Sequence, residues 1–430
     1  MGWPFRSLPN SAGDVCRWNA RQVSNQWVKL TIVLQFGGGL THVTFGDHAY
    51  QFVNPQWEGK QFPIVDGTSQ PRWYNYGRRQ ALALPQGDQD DQHWPGPNFR
   101  RARCWRLRIQ DSFSGLSVQG AARGPSRPAH GMEYSREITL GSGSPEISFH
   151  SVMRNSIQHP IHWSMQSVTQ YDAGSDSPSS CNRNFWAFTP INGASAYPEG
   201  HYARAGPWSD PAYSARDELF TLPWRYFEKE VWLDSTSGWL AVVDGSARDA
   251  MVKRFPHVEA EYPGKATVIF YTNGPAPNDD EKGMRFLTSS NPVERPFYME
   301  AEVNSPMVRL APGETYALDT RWFPTRAGDD LVSVSDAGVG DRPLTAKVSA
   351  NGVTLSGSFG VFFPGNLTAY VFDKQGSKIA TVLLQCATPL DPIDLNKEIS
   401  VSPTGARVAN RLIDEEAVDR GSIGEASITR

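Results

Sequence analysis

Residues 297–306, with the sequence FYMEAEVNSP, decide the fold. Apolar Met299, Ala301 and Val303 alternate with Glu300 and Glu302, and this period of two is typical of a β-strand with one buried face. Similar alternation recurs along the chain between turns rich in Gly and Pro, while helical periodicity is absent from the first 325 residues. The recurring segments are residues 28–34, 104–109, 135–140, 146–153, 161–170, 238–243, 266–271, 299–303 and 315–323. The pattern predicts an all-β fold built from antiparallel sheets.

The length of 430 residues is enough for two domains. A boundary is predicted near residues 325–330, after which short alternating segments and turns such as Asn351-Gly352 continue. Two segments without clear alternation, 54–99 and 172–223, are predicted to be long loops that wall a cleft. The expected division is an N-terminal extension (1–19), a large β-sandwich (20–327), a small immunoglobulin-like β-sandwich (328–415) and a polar tail (416–430).

Composition excludes some classes of function. The net charge is −4 and no long basic run occurs, so a nucleic-acid partner is not expected. No apolar stretch reaches the roughly 18–20 residues that span a bilayer. The first residues lack the apolar core of a signal peptide. The expected location is nevertheless periplasmic or secreted, with a signal that has been removed, and the cytoplasm is the alternative.

Metal and cofactor motifs are not found in the sequence. The His residues show no HxH or HExxH spacing, and no Gly-rich phosphate loop follows a strand, so neither a metal nor a cofactor is expected. The four cysteines are too far apart in the sequence for a CxxC site. They are expected to be buried thiols or to form one or two disulfides, and the sequence leaves this open.

The decisive stretch is followed by Leu310-Ala311-Pro312-Gly313-Glu314-Thr315-Tyr316 and then by Thr320-Arg321-Trp322-Phe323. This succession resembles the C-terminal end of the galactose mutarotase (aldose 1-epimerase) superfamily, in which a strand with a catalytic Glu precedes an L-x-P-G-E-x-Y turn. The Gly-rich hairpin at residues 37–46 is also similar to the opening hairpin of these sandwiches. The resemblance covers roughly residues 20–325 and implies a mutarotase-like β-sandwich of an uncharacterised bacterial branch.

Proton-transfer chemistry on a sugar needs a base and an acid. The resemblance implies that Glu300 is the base. Three histidines are candidate acids because an imidazole titrates near neutral pH: His93 in a polar loop beside Trp94, His162 on a predicted strand, and His201 beside a Tyr and an Arg.

Substrate binding is expected from side chains that suit sugar rings and acidic sugars. Aromatic rings cover the C–H face of a sugar, and Arg binds carboxylates through its planar fork. The candidates are Arg136, Tyr202, Arg204, Trp94, Tyr76 and Glu302.

These observations predict a protein that binds a sugar or an acidic oligosaccharide in a concave β-sandwich cleft. Epimerase or mutarotase chemistry and uronate-lyase chemistry both remain open, and so does a non-catalytic carbohydrate-binding or cell-envelope role on the same fold. The expected assembly is a monomer or a small homo-oligomer.

Overall fold

The structure is a computed structural model that describes residues 18, 20–33, 39–60, 75–77, 79–84, 105–112, 115–122, 132–175, 180–205, 214–216, 218–224, 228–274, 291, 296–402 and 404–429. Across this part of the chain the regular structure is almost entirely β, with one short 3₁₀ turn at Pro263–Lys265. The prediction of an all-β fold is confirmed. None of the helical structure described is long or apolar enough to cross a membrane.

The larger N-terminal part contains the first 21 strands of the described chain. Their bounds are β1 (Ala20–Ser24), β2 (Val28–Val33), β3 (Gly39–Phe45), β4 (His48–Ala49), β5 (Arg79–Leu84), β6 (Trp105–Ser112), β7 (Gly115–Ala122), β8 (Met132–Leu140), β9 (Ile147–Asn155), β10 (Ile161–Asp172), β11 (Phe185–Pro190), β12 (Tyr202–Ala205), β13 (Ser214–Arg216), β14 (Leu219–Pro223), β15 (Glu228–Leu233), β16 (Trp239–Asp244), β17 (Asp249–Arg254), β18 (Val268–Asn273), β19 (Tyr298–Asn304), β20 (Val308–Leu310) and β21 (Thr315–Arg326).

These strands form two large antiparallel sheets. The first sheet has the order β1-β2-β3-β5-β10-β19-β18-β15-β12, with β4 paired to β3 and β20 paired to β10. The second sheet has the order β13-β14-β11-β16-β17-β21-β9-β8-β7-β6. The two sheets together form a large antiparallel β-sandwich, as the sequence predicted.

One apolar core joins the two sheets. The first sheet contributes Val231, Phe270 and Met299, and the second contributes Phe149 and Trp322. In β9, buried and less buried residues alternate along the whole strand, so Ile147 and Phe149 reach this core while the intervening side chains point away. We call the face of each sheet that lines this core the inner face.

The C-terminal part folds around a separate core with eight further strands in the described residues. They are β22 (Ser333–Val334), β23 (Gly338–Ser349), β24 (Gly352–Val361), β25 (Gly365–Asp373), β26 (Lys378–Ala387), β27 (Ile393–Ile399), β28 (Gly405–Asp414) and β29 (Asp419–Thr429). They run in the order β26-β25-β28-β29-β23-β24-β27, and β22 pairs with β23. β29 joins the two halves of this small domain, antiparallel to β28 and parallel to β23.

An apolar interface attaches the small domain to the outer face of the second sheet. Val252 and Phe323 come from that sheet, and Val339 and Phe362 come from the small domain. The rings of Phe323 and Phe362 are stacked with centroids 4.8 Å apart. The small domain therefore covers side chains that the second sheet would otherwise expose to water.

Three predictions from the sequence are corrected. The segment 54–99, expected to be a long loop, contains β5, because residues 79–84 pair with β10 in the first sheet. The segment 172–223, expected to be a long loop, contains β11 to β14, because its apolar residues at 185–190 and 219–223 pair within the second sheet. The tail 416–430, expected to be a polar extension, forms β29 over most of its length, because its backbone is paired to two neighbouring strands. The N-terminal extension lies, apart from Trp18, outside the described residues.

Within the described part of the chain, Cys181 and Cys386 are free thiols, one half-buried and the other exposed. Cys16 and Cys104 lie outside the described residues.

The domain interface predicts the first test. Phe362 is fully buried, so Phe362→Ala removes a large side chain from the interface and is expected to lower the free energy of unfolding by about 3 kcal/mol. Urea denaturation followed by fluorescence measures the change. Leu383→Ala is the matched control, since Leu383 is 59% exposed and its loss is expected to cost less than about 0.5 kcal/mol. Equal losses in the two variants would contradict the interface.

Candidate functional site

Strand β19 places two carboxyl groups on the outer face of the first sheet. Met299, Ala301 and Val303 point into the core between the sheets, so the intervening Glu300 and Glu302 point the opposite way. β19 is a central strand with β10 on one side and β18 on the other. Side chains of these neighbours therefore flank both carboxyl groups. We call this side of the first sheet the polar face.

Two glutamines of β10 hold the carboxyl groups. Gln170 is the register partner of Glu300, and its Nε2 donates a hydrogen bond to Glu300 Oε1 at 2.6 Å. Gln166 Nε2 donates to Glu302 Oε2. Glu302 is only 5% exposed, whereas Glu300 is half-buried. The sheet thus fixes both side chains and leaves Glu300 the more accessible of the two.

Glu300 and Glu302 are also hydrogen-bonded to each other, which requires a proton on one of them. Burial raises the pKa of Glu302 well above its ordinary value, and the neighbouring charge of Glu300 raises it further. Burial also raises the pKa of Glu300, but there the hydrogen bonds from Glu302 and Gln170 oppose the rise. The two carboxyl groups therefore titrate as an interacting pair, and their protons are held to higher pH than that of an ordinary Glu.

An ion pair lies across the sheet from the two glutamates. In the strand register, Tyr271 of β18 pairs with Glu300 on one side and with Glu230 of β15 on the other. Arg204 Nη1 lies 3.2 Å from Glu230 Oε1, and Trp232 Nε1 donates to the same oxygen at 2.7 Å. Glu230 raises the pKa of both Glu300 and Glu302, after burial and their other contacts.

The ring of Trp232 holds this ion pair in place. The Arg204 guanidinium carbon lies 5.0 Å from the ring centroid. Gly264 contacts the same ring, and its φ of 56° together with a Cβ position 2.0 Å from the ring would exclude any larger residue there. Tyr202 makes an edge contact with the ring at 6.1 Å. The ring of Trp232 therefore packs against Arg204, Gly264 and Tyr202 of the protein itself.

Tyr271 supplies the aromatic surface beside Glu300. Its side chain is half-buried, and its ring lies 6.2 Å from that of Tyr298, which in turn stacks on Phe52 at 5.2 Å. Tyr298 occupies the same face of β19 as Glu300, since the two are separated by one residue. The carboxyl pair thus has an aromatic cluster on one side and an ion pair beyond Tyr271.

The structure brings together four of the side chains predicted from the sequence. Glu300 and Glu302 form the carboxyl pair, Arg204 forms the ion pair, and Tyr202 lies at the edge of the same face. His93 and Trp94 lie outside the described residues.

Four predicted residues make other contacts. His162 is exposed, eight residues along β10 from Gln170, which is roughly 26 Å at the rise of an extended strand. The ring of His201, the residue before β12, packs 5.1 Å from Phe220 of the core. Arg136 is buried on β8 of the second sheet, on the face that carries Ile138 to the core. Tyr76 makes an edge contact with Trp18.

Sequence reasoning missed several residues of this site: Gln166, Gln170, Glu230, Trp232 and Tyr271. The alternation in residues 161–170 places both glutamines on one face of their strand. It does not show that this strand lies next to β19. Within the described residues no group of three or more His, Cys, Asp or Glu side chains is arranged to hold a metal ion.

Comparison with solved structures gives similar chains at low identity. A galactose mutarotase-like protein from Lactobacillus casei is 11% identical, with 71% of this chain and 99% of that chain covered and a TM-score of 0.44. A galactose mutarotase-like protein from Clostridium acetobutylicum is 9% identical, with 72% and 96% covered and a TM-score of 0.43. Many of the similar structures belong to the family that the sequence motifs resemble.

A TPR-domain containing protein from Parabacteroides distasonis is 13% identical, with 74% of this chain covered and a TM-score of 0.47. This chain spans about half the length of that protein, 48%. No protein-family model matches the chain. No curated protein matches it either. Likenesses this distant do not assign an activity, so the function is inferred below from the chain's own side chains.

The carboxyl pair predicts a pH-dependent stability. A folded pKa above the ordinary 4.5 of Glu means that the folded chain keeps a proton that the unfolded chain has lost, so stability falls as pH rises through that interval. In Glu302→Gln the side chain at this position no longer titrates, so the variant lacks this fall in stability. The free energy of unfolding of wild type relative to Glu302→Gln is therefore expected to fall from pH 4.5 upward, by about 1.4 kcal/mol per pH unit until the folded pKa is reached.

Urea denaturation of both proteins from pH 4 to pH 9 measures this difference. Glu415→Gln is the control, since Glu415 is exposed in a turn of the small domain, and its difference from wild type should stay flat. Parallel curves for wild type and Glu302→Gln would show that Glu302 ionises normally in the folded protein.

Proposed function

We propose that the polar face of the first sheet binds a sugar ring and that the Glu300 and Glu302 pair transfers protons to and from it, as in a mutarotase or epimerase. The observation that carries this proposal is a pair of carboxyl groups on one face of β19, each held by a glutamine of β10, beside an aromatic surface. Perturbed carboxyl pairs of this kind are the usual acid–base devices of enzymes.

One proton shared by two carboxyl groups gives an acid and a base in one place. Anomeric exchange requires a base that removes the proton of the anomeric hydroxyl and an acid that protonates the ring oxygen as the ring C–O bond breaks. Glu300, the accessible carboxylate, suits the first role. In the proposed exchange Glu300 keeps the proton taken from the anomeric hydroxyl while Glu302 gives its proton to the ring oxygen, and ring closure reverses both transfers, so that the pair again holds one proton.

The surroundings of the pair suit the rest of a sugar ring. Tyr271 offers an aromatic surface for the C–H face of the ring next to Glu300. Arg204 and Glu230 present donors and acceptors of fixed orientation within the same row of strands. A neutral hydroxylated ring therefore finds both kinds of contact that sugar binding requires.

A neutral sugar fits this face better than a uronate. Arg204 is already engaged by Glu230, and the next groups along the row are the two glutamates. A substrate carboxylate placed there would face three acidic side chains, with the attraction of Arg204 largely offset by Glu230. The proposed chemistry is therefore proton exchange at a neutral sugar, in preference to elimination from a uronate.

The test of the proposed reaction is anomeric exchange. NMR saturation transfer between the α and β anomers of a panel of aldohexoses and aldopentoses should show exchange above the uncatalysed rate with wild type. Glu300→Gln should lower that rate at least about 100-fold, which is the usual contribution of a general base. Glu415→Gln should retain it.

Three outcomes would redirect the proposal. Exchange unchanged in Glu300→Gln would exclude this carboxyl group as the base. Sugar binding without exchange in wild type would mean that the face serves recognition alone. Formation of an unsaturated product from uronate oligosaccharides, followed by ultraviolet absorbance, would overturn the preference for a neutral sugar.

The aromatic surface predicts a separate effect on affinity. Tyr271→Ala removes the ring beside Glu300 and is expected to weaken sugar binding about tenfold, which corresponds to about 1.4 kcal/mol. Tyr271→Phe keeps the ring and is expected to bind within about twofold of wild type. Isothermal titration with the sugar selected from the exchange panel measures both. Equal affinities of the Ala and Phe variants would place the sugar away from this ring.

A further inference from the structure

A buried lysine lies behind the strand that carries the carboxyl pair. Lys253 belongs to β17 of the second sheet and points into the core between the sheets, as Met251 does two residues before it. Its side chain is 1% exposed. An ammonium group at such a site requires compensating contacts because its removal from water is costly.

The contacts of Lys253 lead to the first sheet. Its Nζ donates a hydrogen bond to the carbonyl oxygen of Ala301 at 2.7 Å. The same atom lies 5.2 Å from the ring centroid of Tyr171 and 4.7 Å from that of Trp322. Ala301 is the residue between Glu300 and Glu302, so the positive charge lies directly behind the two carboxyl groups, across the thickness of the strand.

We propose that Lys253 is a positioning residue whose buried charge keeps the Glu300 and Glu302 pair in its singly ionised form, and this inference rests on the proposed function of that pair. Two carboxyl groups in a dry setting tend to keep both protons, since desolvation and mutual repulsion oppose ionisation. A fixed positive charge on the inner side favours the loss of one of them. The pair can then act as a base at neutral pH.

The other charged groups near the pair do not replace Lys253. Glu230 of β15 adds a further negative charge, and its partner Arg204 of β12 offsets it. The remaining titratable neighbours are the phenol groups of Tyr271 of β18 and Tyr171 of β10, and neither can supply a positive charge. Attraction to Lys253 lowers the pKa of Glu302 against the larger effects that raise it. Lys253 is therefore the cation that faces β19 from the core side among the described residues.

The test is the titration of the pair itself, measured without any sugar. Infrared difference spectra of protein labelled with ¹³C-glutamate follow the absorption band of protonated carboxyl groups as the pH changes. The component of this band that is present in wild type and missing in Glu302→Gln is assigned to the pair. In Lys253→Met the midpoint of its titration is expected to rise by about one pH unit or more, because the ionised form has lost its nearby cation. Lys253→Arg keeps the charge and should keep the midpoint near that of wild type. A folded Lys253→Met protein with an unchanged midpoint would overturn the proposal.

A second measurement covers the case in which Lys253→Met does not fold. The ¹⁵Nζ resonance of Lys253 in wild type, assigned by its absence from Lys253→Arg, should shift with pH as the pair ionises. That shift should disappear in Glu302→Gln. A resonance in wild type that ignores the ionisation of the pair would overturn the coupling. Neither readout involves a sugar, so a failure here is distinct from a failure of anomeric exchange.

Discussion

The strict alternation of β19 is the constraint on which the rest of the site depends. Its odd-numbered side chains, Met299, Ala301 and Val303, are held in the core between two large sheets. A shift of one residue would bury two carboxyl groups there and expose the apolar side chains, which is far too costly to occur. Glu300 and Glu302 must therefore share the outer face, one strand period apart. Their proximity is therefore a consequence of core packing.

The neighbouring strands extend this effect across the sheet. Because opposed residues in antiparallel strands point to the same side, the register that pairs Gln170 and Tyr271 with Glu300 also sets their side chains on the polar face. Glu230 follows through its pairing with Tyr271. The row of polar groups is thus assembled by backbone hydrogen bonds, and it is as rigid as the sheet.

A raised pKa does not by itself distinguish a site from a structural group, and Asp249 shows the difference. Burial raises the pKa of Asp249 to about 7, yet its carboxyl group is fully enclosed, with Tyr50 Oη at 3.4 Å and Arg326 Nε at 3.5 Å. No surface of Asp249 remains for a ligand. Glu300 combines the same direction of shift with a half-buried carboxylate next to an aromatic ring, and this combination suits catalysis.

Sequence reasoning succeeded for features set by local interactions and failed for features set by long-range strand pairing. Alternation, a local property, identified the strand, the face shared by Glu300 and Glu302, and the all-β fold. Arg136 was misplaced relative to this face because it lies on the second sheet, and His201 was misplaced because its ring packs on Phe220 of the core. Gln170 and Glu230 were missed because only long-range strand pairing makes them neighbours of Glu300.

The small domain illustrates this limit again, since alternation predicted its strands but not the surface that it covers. Its Phe362 packs on the outer face of the second sheet, whereas the polar face belongs to the first. The domain therefore supports the sheet that carries Lys253 and lies on the side of the sandwich away from the carboxyl pair.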